Sequence, residues 1–317
     1  MIRHTLLTSV ATAALLALAL PALAQDIAFS TGQAYPESVT YSASQDVFML
    51  GSVTQGIVAR LDPAGTYTPF IQDDRLVSTV GLLVDDASNV LWVTNSDPGA
   101  GLRTAASSVG TLAAVATYDA TSGAPLAYHD LGSLSAGAHF ANDVALDAEG
   151  NAYVTDSFAP LIYRIDSAGT ASIFAQSPAF FTEQGFNLNG IAWHEDGYLL
   201  VGKYNSGELF RVSASDPTDI AVVKLPEALI GADGIHLVDG EHLLVVQNLG
   251  QDRVVELTST DGWQTASISR SVKSELSMPT AAVEADGAVY VLNSRLDTLF
   301  DPKAEKVGDY LLQQLAD

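Results

Sequence analysis

Short runs in which apolar and polar residues alternate recur along this chain, separated by turn residues. The clearest stretch is residues 142–166, where the runs DVALD, AYVTDS and LIYRID are joined by AEGN and FAP. Alternation with a period of two residues is typical of antiparallel strands, whereas an amphipathic helix would place apolar residues at i, i+3 and i+4. The pattern therefore predicts an all-β protein.

The same unit of strands and turns occurs six times, and the copies begin 44 to 47 residues apart except for one interval of 61. A repeat in the mid-forties that is built from strands is typical of a propeller blade with four strands. We therefore predict a six-bladed β-propeller that forms a single domain over residues 25–317. The copies begin at Glu37, Gly81, Asn142, Asn189, Asp233 and Pro279.

The last copy, which begins at Pro279, is too short for four strands. Its final run, residues 308–315, predicts a third strand or a short helix. Residues 26–30 (DIAFS) form an apolar run ahead of the first copy, and we expect them to supply the missing outer strand. Closure of this kind joins the two ends of the ring and removes two sheet edges that would otherwise promote aggregation.

The interval of 61 residues contains an insertion at residues 96–110 that is rich in Gly, Ala and Ser. This composition predicts a loop. A loop longer than about 12 residues is often functional, so two interpretations stay open. The segment is either a surface insertion or a lid over one mouth of the propeller.

The first 24 residues predict a signal peptide. A short positive start (MIRH) precedes a small and apolar run at residues 6–22, and Ala22–Ala24 matches an A-x-A cleavage site. We therefore expect a periplasmic or secreted protein whose mature chain begins at Gln25. No later run reaches about 18 apolar residues, so we expect no membrane-spanning segment.

The chain is strongly acidic, with 37 Asp and Glu against 14 Lys and Arg and a formal net charge of −23. This charge argues against binding to nucleic acids and to anionic membranes. Solubility is the simple explanation of the acidity, and a contribution to cation binding is the alternative. The absence of cysteine excludes disulfides, thiolate metal sites and a cysteine nucleophile.

The first position of each repeat carries the candidate chemistry. In a propeller the first strand of every blade lines the central channel, so equivalent positions on these strands lie on a ring around the axis. Four of the six positions carry side-chain oxygens: Glu37, Asn142, Asn189 and Asp233. Two carboxylates and two amides are ligands that a hard cation such as Ca²⁺ prefers. None of the six positions is Cys or His, which disfavours zinc and copper. A structural alternative is that Asn142, Asn189 and Asp233 only form tight turns before strands.

These motifs resemble the regucalcin/gluconolactonase family, which is itself similar to the diisopropyl fluorophosphatase propellers. The resemblance rests on Pro36-Glu37 in the first blade, Asn142-Asp143 in the third, Asn189-Gly190 in the fourth and Asp233-Gly234 in the fifth. It covers the whole mature chain. It implies that Glu37, Asn189 and Asp233 bind a divalent metal, usually calcium. It also implies that Asn142 completes the metal site or contacts substrate, and that Asp233 transfers a proton.

The sequence departs from the sugar-lactonase members of that family. Those members carry an arginine shortly before the third-blade asparagine, whereas this chain has His139-Phe140-Ala141 there. His139 is a candidate for substrate binding or proton transfer, with a structural loop histidine as the alternative. Asp143 is a second candidate for substrate binding. Strand alternation is expected to point it away from the axis, with the alternative that both Asn142 and Asp143 reach solvent at the start of the strand.

We therefore expect a calcium-dependent hydrolase that acts on a lactone or related ester, with another divalent cation as an alternative to calcium. A metal-bound carboxylate has a lowered pKa and is a weak base, which leaves Asp143 or His139 as alternatives to Asp233 as the general base. A phosphotriesterase, or a non-catalytic propeller that binds a protein or small ligand around a structural metal, stays open. We expect a monomer that contacts neither nucleic acid nor membrane.

Overall fold

The computed structural model describes residues 25–315, and the predicted signal peptide, residues 1–24, lies outside the described residues. The strands form six sheets, each with four strands in antiparallel order. Each sheet is one blade of a β-propeller, as the repeat predicts. Within residues 25–315 no helix is long and apolar enough to cross a membrane.

The first strand of each blade is innermost and the fourth is outermost, and the blades follow one another along the chain. Blade one contains β2 (Val39–Ser42), β3 (Val47–Leu50), β4 (Val58–Leu61) and β5 (Tyr67–Ile71). Blade two contains β6 (Ser78–Asp85), β7 (Val90–Ser96), β8 (Ala113–Asp119) and β9 (Pro125–Asp130). Blade three contains β10 (Ala141–Leu146), β11 (Ala152–Asp156), β12 (Leu161–Ile165) and β13 (Ala171–Gln176).

The remaining three blades continue this order. Blade four contains β14 (Leu188–His194), β15 (Tyr198–Lys203), β16 (Glu208–Ser213) and β17 (Ile220–Val222). Blade five contains β18 (Ala232–Leu237), β19 (His242–Gln247), β20 (Arg253–Thr258) and β21 (Ser267–Lys273). Blade six contains β22 (Pro279–Ala285), β23 (Ala288–Asn293), β24 (Asp309–Gln314) and β1 (Ile27–Ser30). One short helix, α1 (Leu296–Phe300), lies between β23 and β24.

The N-terminal strand closes the ring, as predicted. In blade six β1 is the outermost strand and pairs antiparallel with β24, from Ile27 opposite Leu312 to Ser30 opposite Asp309. The run at residues 308–315 forms a strand rather than a helix. The innermost strands β22 and β2 are in contact, so blade six packs against blade one.

The hydrophobic core is divided into six clusters, one at each interface between neighbouring blades. The cluster that joins blades six and one, for example, packs Phe29 and Leu312 against Phe48 and Leu50. Because each sheet is apolar on both faces, every blade needs a neighbour on each side to bury its surface. The closed ring therefore buries both faces of all six sheets and holds their inner strands around a common channel.

Candidate functional site in the central channel

Four side chains that the sequence singled out meet in the channel. Glu37, Asn142, Asn189 and Asp233 line one small cavity of about 20 Å³. They come from four different blades, and each of the three in blades three to five is the second residue of the innermost strand. We call them the oxygen ring. Its convergence follows from the equivalent positions of these residues in the repeat.

A β-bulge sets the direction of the side chains in the oxygen ring. In blade three the strand pairing shifts by one residue between Ala141 and Val144, so that both Asn142 and Asp143 lie opposite Thr155. The same shift occurs at Asn189 in blade four and at Asp233 in blade five. A bulge bends the strand and turns a side chain out of the regular alternation. Here it directs the ring residues into the channel.

The bulge corrects the sequence alignment in two of the six blades. In blade two the residues opposite Thr94 are Val80 and Gly81, which places Val80, not Gly81, at the position of Asn142. In blade six the extra residue is Thr280, not Pro279. The six equivalent positions are therefore Glu37, Val80, Asn142, Asn189, Asp233 and Thr280. The side of the ring near blade two is apolar rather than empty.

The glycines after three of these positions are required by close packing between blades. A Cβ atom at Gly81 would lie 2.4 Å from the Asn142 carbonyl oxygen, and one at Gly190 would lie 2.5 Å from that of Asp233. A Cβ atom at Gly234 would lie 2.6 Å from the Thr280 carbonyl oxygen. No side chain fits at such a separation. These glycines let neighbouring inner strands approach and narrow the channel around the ring.

Hydroxyl groups of one blade fix the backbone of ring residues in the next. Thr94 Oγ1 donates a hydrogen bond to the Asn142 carbonyl oxygen at 2.7 Å, and Thr155 Oγ1 donates to that of Asn189 at 2.6 Å. Thr280 Oγ1 donates in the same way to the Glu37 carbonyl oxygen. These buried bonds tie ring residues to neighbouring blades, so the site is held by the closed fold rather than by flexible loops.

Asp233 is the most firmly positioned carboxylate of the oxygen ring. Asn248 Nδ2 donates a hydrogen bond to Asp233 Oδ2 at 2.6 Å, and Asn189 also hydrogen-bonds this carboxyl group. Asn248 Oδ1 in turn accepts a hydrogen bond from the Tyr204 hydroxyl group at 2.6 Å. Burial raises the pKa of Asp233 to about 7, against the lowering effect of the two amides. Tyr204 and Asn248 were not predicted from the sequence.

Glu37 lacks comparable support. Burial, followed by the nearby charges of Asp233 and Asp143, raises its pKa well above the usual value. Among residues 25–315 no side-chain or backbone donor makes a hydrogen bond to its carboxylate. A desolvated carboxylate without donors is unfavourable unless a proton or a cation neutralises it. Glu37 is therefore accommodated in the channel either as the protonated acid or beside a cation.

Asn142 presents its side-chain amide oxygen, Oδ1, to the channel. Its Nδ2 donates a hydrogen bond to Ser157 Oγ at 3.0 Å, and Ser157 Oγ donates to the Leu188 carbonyl oxygen at 2.6 Å. Because the amide nitrogen is engaged with Ser157, Oδ1 is the group left for a ligand. The orientation suits a cation or a hydrogen-bond donor.

Asp143 lies in the channel, contrary to the expectation that strand alternation would point it away. It lines the floor of the ring cavity and the wider space beyond it, but it does not line the opening on the Tyr204 side. Its Oδ1 accepts a hydrogen bond from the Val144 N–H at 2.9 Å and its Oδ2 one from the Ile191 N–H at 3.3 Å. Burial raises its pKa to about 7. Asp143 thus lies beside the ring cavity, on the side away from Tyr204.

His139 is not brought to the oxygen ring. It is 2% exposed, and its Nδ1 lies 2.8 Å from Asp156 Oδ2 and 3.0 Å from the Tyr163 hydroxyl group. Its Nε2 donates a hydrogen bond to the Ser135 carbonyl oxygen at 3.1 Å. The hydrogen bond to Asp156 raises the pKa of His139, against the effect of burial. Of the two sequence interpretations, the structural one fits: His139 fastens the loop before β10 to blade three.

The ring fits a hard cation by the chemistry of its oxygens. In the described part of the chain no three His, Asp or Glu side chains are grouped so that they alone could hold a metal ion. A site here therefore needs the amide oxygens of Asn142 and Asn189 beside the carboxylates of Glu37 and Asp233. Ca²⁺ accepts such mixed oxygen ligands, whereas zinc sites are built mainly from Cys and His.

One end of the channel opens above the ring as a small apolar pocket of about 120 Å³, which we call the mouth. Its floor is formed by the four ring residues and Val80, and its walls include Phe140, Phe186 and Tyr204. Pro98, from the insertion at residues 96–110, also lines it. The insertion is fastened beside the mouth, because the Leu102 N–H donates to the Thr54 carbonyl oxygen at 2.7 Å. The insertion thus contributes a fixed part of the wall.

The opposite end of the channel is wider, about 680 Å³, and its lining includes Asp85, Asp147, His236 and Glu284. Its larger size does not make it the better candidate site. Asp147 accepts hydrogen bonds from the backbone N–H groups of Glu149 and Asn151, from Asn151 Nδ2 and from the Tyr153 hydroxyl group. Asp147 is therefore engaged within its own turn, whereas the Glu37 carboxylate accepts no hydrogen bond from the described residues, so we place the candidate site at the oxygen ring.

Comparisons with known proteins find likeness only at the level of structure. No protein-family model matches the sequence, and no curated protein sequence matches it. The allergen Mala s 1 of Malassezia sympodialis is 19% identical, with a TM-score of 0.72 over 93% of this chain and 97% of that protein. A gluconolactonase from Xanthomonas campestris is 15% identical, with a TM-score of 0.62 over 92% and 90%. Virginiamycin B lyase from Staphylococcus aureus is 12% identical, with a TM-score of 0.58 over 92% and 99%.

The likeness is one of fold. At these identities an allergen, a gluconolactonase and a lyase share one architecture with this chain. Because a fold supports many unrelated activities, the choice among them depends on the side chains at the site.

Proposed function

We propose that this protein is a calcium-dependent hydrolase that acts on a lactone or related ester. The observation that carries the proposal is the oxygen ring: two carboxylates and two amides converge in about 20 Å³ at the floor of an apolar mouth. Similarity in fold to a gluconolactonase supports the reaction class. A phosphotriesterase is the alternative, because a cation at the axis would polarise a phosphoryl oxygen as it would a carbonyl oxygen. No further observation favours it.

Glu37, Asn142, Asn189 and Asp233 would hold the cation. Bound there, calcium would polarise the substrate carbonyl group and stabilise the negative charge that develops on its oxygen. Glu37 and Asp233 supply two negative charges, which neutralise a divalent cation without help from Asp143. The mouth excludes bulk water and orients the substrate above the ring.

Asp233 is the group that we assign to proton transfer. It lines both the ring cavity and the mouth, whereas Asp143 lies on the far side of the ring and His139 is engaged with Asp156. The water oxygen bonds to the acyl carbon, the acyl C–O bond breaks, and the proton from water passes through Asp233 to the departing alkoxide, which gives a hydroxy acid. Asn248 holds Asp233 in the orientation that this transfer needs.

The predicted signal peptide supports a site of action outside the cytoplasm. Extracellular calcium sites work with dissociation constants of about 10⁻⁴–10⁻³ M. A ring with only two carboxylates and two amides suits an affinity in that range. We therefore propose that the periplasm or the extracellular medium supplies the metal.

The proposal is tested by assaying lactones, esters and phosphotriesters with calcium and with a chelator. We expect hydrolysis of lactones or esters that is lost with the chelator, and we expect Asp233→Asn to lower kcat by about 10²-fold or more. Asp219→Asn removes an exposed carboxylate from a turn remote from the channel and is the matched control. Hydrolysis that survives in Asp233→Asn would exclude the assigned role. A protein that binds calcium but hydrolyses nothing in the panel would be a binding propeller with a structural metal.

A further inference from the structure

The walls of the mouth differ in chemistry from its floor. Above the oxygen ring the pocket is lined by Val53, Pro98, Phe140, Phe186, Tyr204, Met278, Leu296 and Phe300. None of these side chains carries a charge, and Tyr204 alone has a polar atom. Its hydroxyl group already donates to Asn248 Oδ1 at 2.6 Å. The walls therefore offer a ligand almost no hydrogen bonds.

The aromatic part of the wall is rigid. The ring centroids of Phe140 and Phe186 lie 5.2 Å apart, and each is in contact with Phe158, at 5.2 and 5.0 Å. Tyr204 packs edge-on against Phe186 at 6.2 Å. A cluster of this kind keeps its shape without a ligand and presents a fixed apolar surface. It is a binding surface that needs no rearrangement.

Loops on the mouth face also expose apolar side chains. The loop between the second and third strands of a blade, and the loop from a fourth strand to the next blade, lie on the same face as the ring. Leu102, Phe181, Leu249 and Phe300 are on such loops and are between 37% and 82% exposed. The face that holds the mouth thus exposes apolar side chains, and Phe300 among them also lines the pocket.

We propose that the substrate of this site carries an apolar alkyl or aryl substituent, seated against Phe140 and Phe186, and that polyhydroxylated sugar lactones are disfavoured. The inference rests on the proposed function of the oxygen ring, because the ring fixes where the ester group sits. A sugar hydroxyl group placed against these walls loses its hydrogen bonds to water and gains none. An alkyl chain instead leaves water for an apolar surface.

The test compares δ-lactones of one ring size that carry hydrogen, a pentyl chain or the hydroxyl groups of gluconolactone, with the calcium-loaded protein. We expect kcat/KM to rise about fourfold for each methylene group that the pocket buries. Gluconolactone is expected to react more slowly than the unsubstituted ring. A preference for gluconolactone would overturn the inference and leave the proposed hydrolase function intact.

A pair of variants assigns the preference to the mouth. Phe186→Ser is expected to remove at least tenfold of the advantage of the pentyl lactone while the unsubstituted lactone is affected far less. Leu126→Ser removes an apolar side chain that is 56% exposed on the outer strand β9, so it is expected to change neither rate. An equal loss for both lactones in Phe186→Ser would mean that the residue only supports the fold, which would contradict the inference.

Binding without reaction separates the two proposals. The matching δ-lactams resist hydrolysis, and their affinities can be measured by calorimetry with the same protein. Tighter binding of the pentyl lactam, lost in Phe186→Ser, would support the apolar mouth even if no lactone were hydrolysed, and the proposed function alone would then fail. Equal affinities for the pentyl and unsubstituted lactams would overturn the inference.

Discussion

The two faces of the propeller use carboxylates in opposite ways. On the face away from the mouth, eleven turns connect first to second and third to fourth strands. Ten of them contain Asp or Glu and none contains Lys or Arg, so most of the excess negative charge in the turns lies far from the oxygen ring. We call this side the hairpin face. The loops of the mouth face carry charges of both signs together with exposed apolar side chains, and further carboxylates lie inside the channel.

The difference lies in what each carboxylate contacts. On the hairpin face the backbone N–H of Glu241 lowers the pKa of Asp239, and that of Thr265 lowers the pKa of Asp261. In the channel, burial raises the pKa of Asp143 and Asp233 to about 7. Turn carboxylates thus stabilise the fold by their own charge, whereas channel carboxylates destabilise it until a proton or cation arrives. The net charge of the chain mainly reflects the acidic turns, and only a few carboxylates lie in the channel.

The largest effect is expected for the substitution Glu37→Gln in the oxygen ring. At a calcium concentration 100-fold above Kd, binding to the folded state adds about 2.7 kcal/mol to the free energy of unfolding, and we expect the variant to lose most of it. In a chelator the variant is expected to be more stable than the parent, because a buried carboxylate without donors is gone. Chemical denaturation with and without calcium measures both effects. A full calcium response in the variant would remove Glu37 from the site.

The matching substitution on the hairpin face is Asp147→Ala. It leaves the four donors around Asp147 without their acceptor, so we expect a loss of about 2 kcal/mol in the free energy of unfolding. The gain from calcium is expected to be unchanged. The same denaturation series decides the result. A reduced calcium response here would show that the two groups of carboxylates are coupled.

Without calcium, the channel carboxylates are expected to make the stability of the fold depend on pH. The folded-state pKa values of Asp143 and Asp233, about 7, lie above the ordinary value of about 3.9 for an unfolded chain. Such groups favour folding when protonated, and their contribution is lost as pH rises from about 4 through 7. We therefore expect Tm in a chelator to fall between pH 5 and pH 8.

The variant Asp143→Asn is the control for this trend. His139, whose pKa is raised by Asp156, also loses stabilising protonation as pH rises, so the parent curve alone does not isolate the channel. We expect Asp143→Asn to flatten the fall in Tm and to be more stable than the parent at pH 8. An unchanged slope in the variant would assign the trend to other groups.

The smallest expected effect is that of a charge reversal on the hairpin face, Asp219→Lys. Exposed charges farther apart than about 8 Å are largely screened at physiological ionic strength. We therefore expect calcium affinity, measured by titration calorimetry, to change by less than about twofold. A larger change would mean that the acidic turns act together on the channel.

The sequence predicted the architecture well because the signals behind it are local and repeated. Alternation, turn residues and the repeat length determine six blades, and the run at residues 26–30 was correctly assigned to the open edge of the last blade. The four oxygen-bearing residues also meet as predicted. Their common cavity follows from repeat position alone, without knowledge of any loop.

The errors arose where one extra residue interrupts the alternation. A bulge cannot be read from apolar periodicity, so Asp143 was expected to face away and Gly81 was aligned where Val80 belongs. The glycines held the missing signal: aligning Gly81 with Gly190 and Gly234 places Val80 beside Asn189 and Asp233. The hydrogen-bond partners of the His139 and Asp233 side chains, by contrast, lie on other strands or in the loops that follow them. Asn248 carries no motif that separates it from an ordinary turn residue.

The pairing of β1 with β24 has a consequence for the order of folding. These strands are joined across 279 to 285 residues of chain, and sheet contacts between such distant segments form late because a long loop must first be closed. The strand synthesised first is therefore the one that pairs last. Until the final strand arrives, Ile27 and Phe29 have no sheet to join, and the interface between blades six and one stays open. A chain cut short before Asp309 would keep five intact sheets and an unsealed ring.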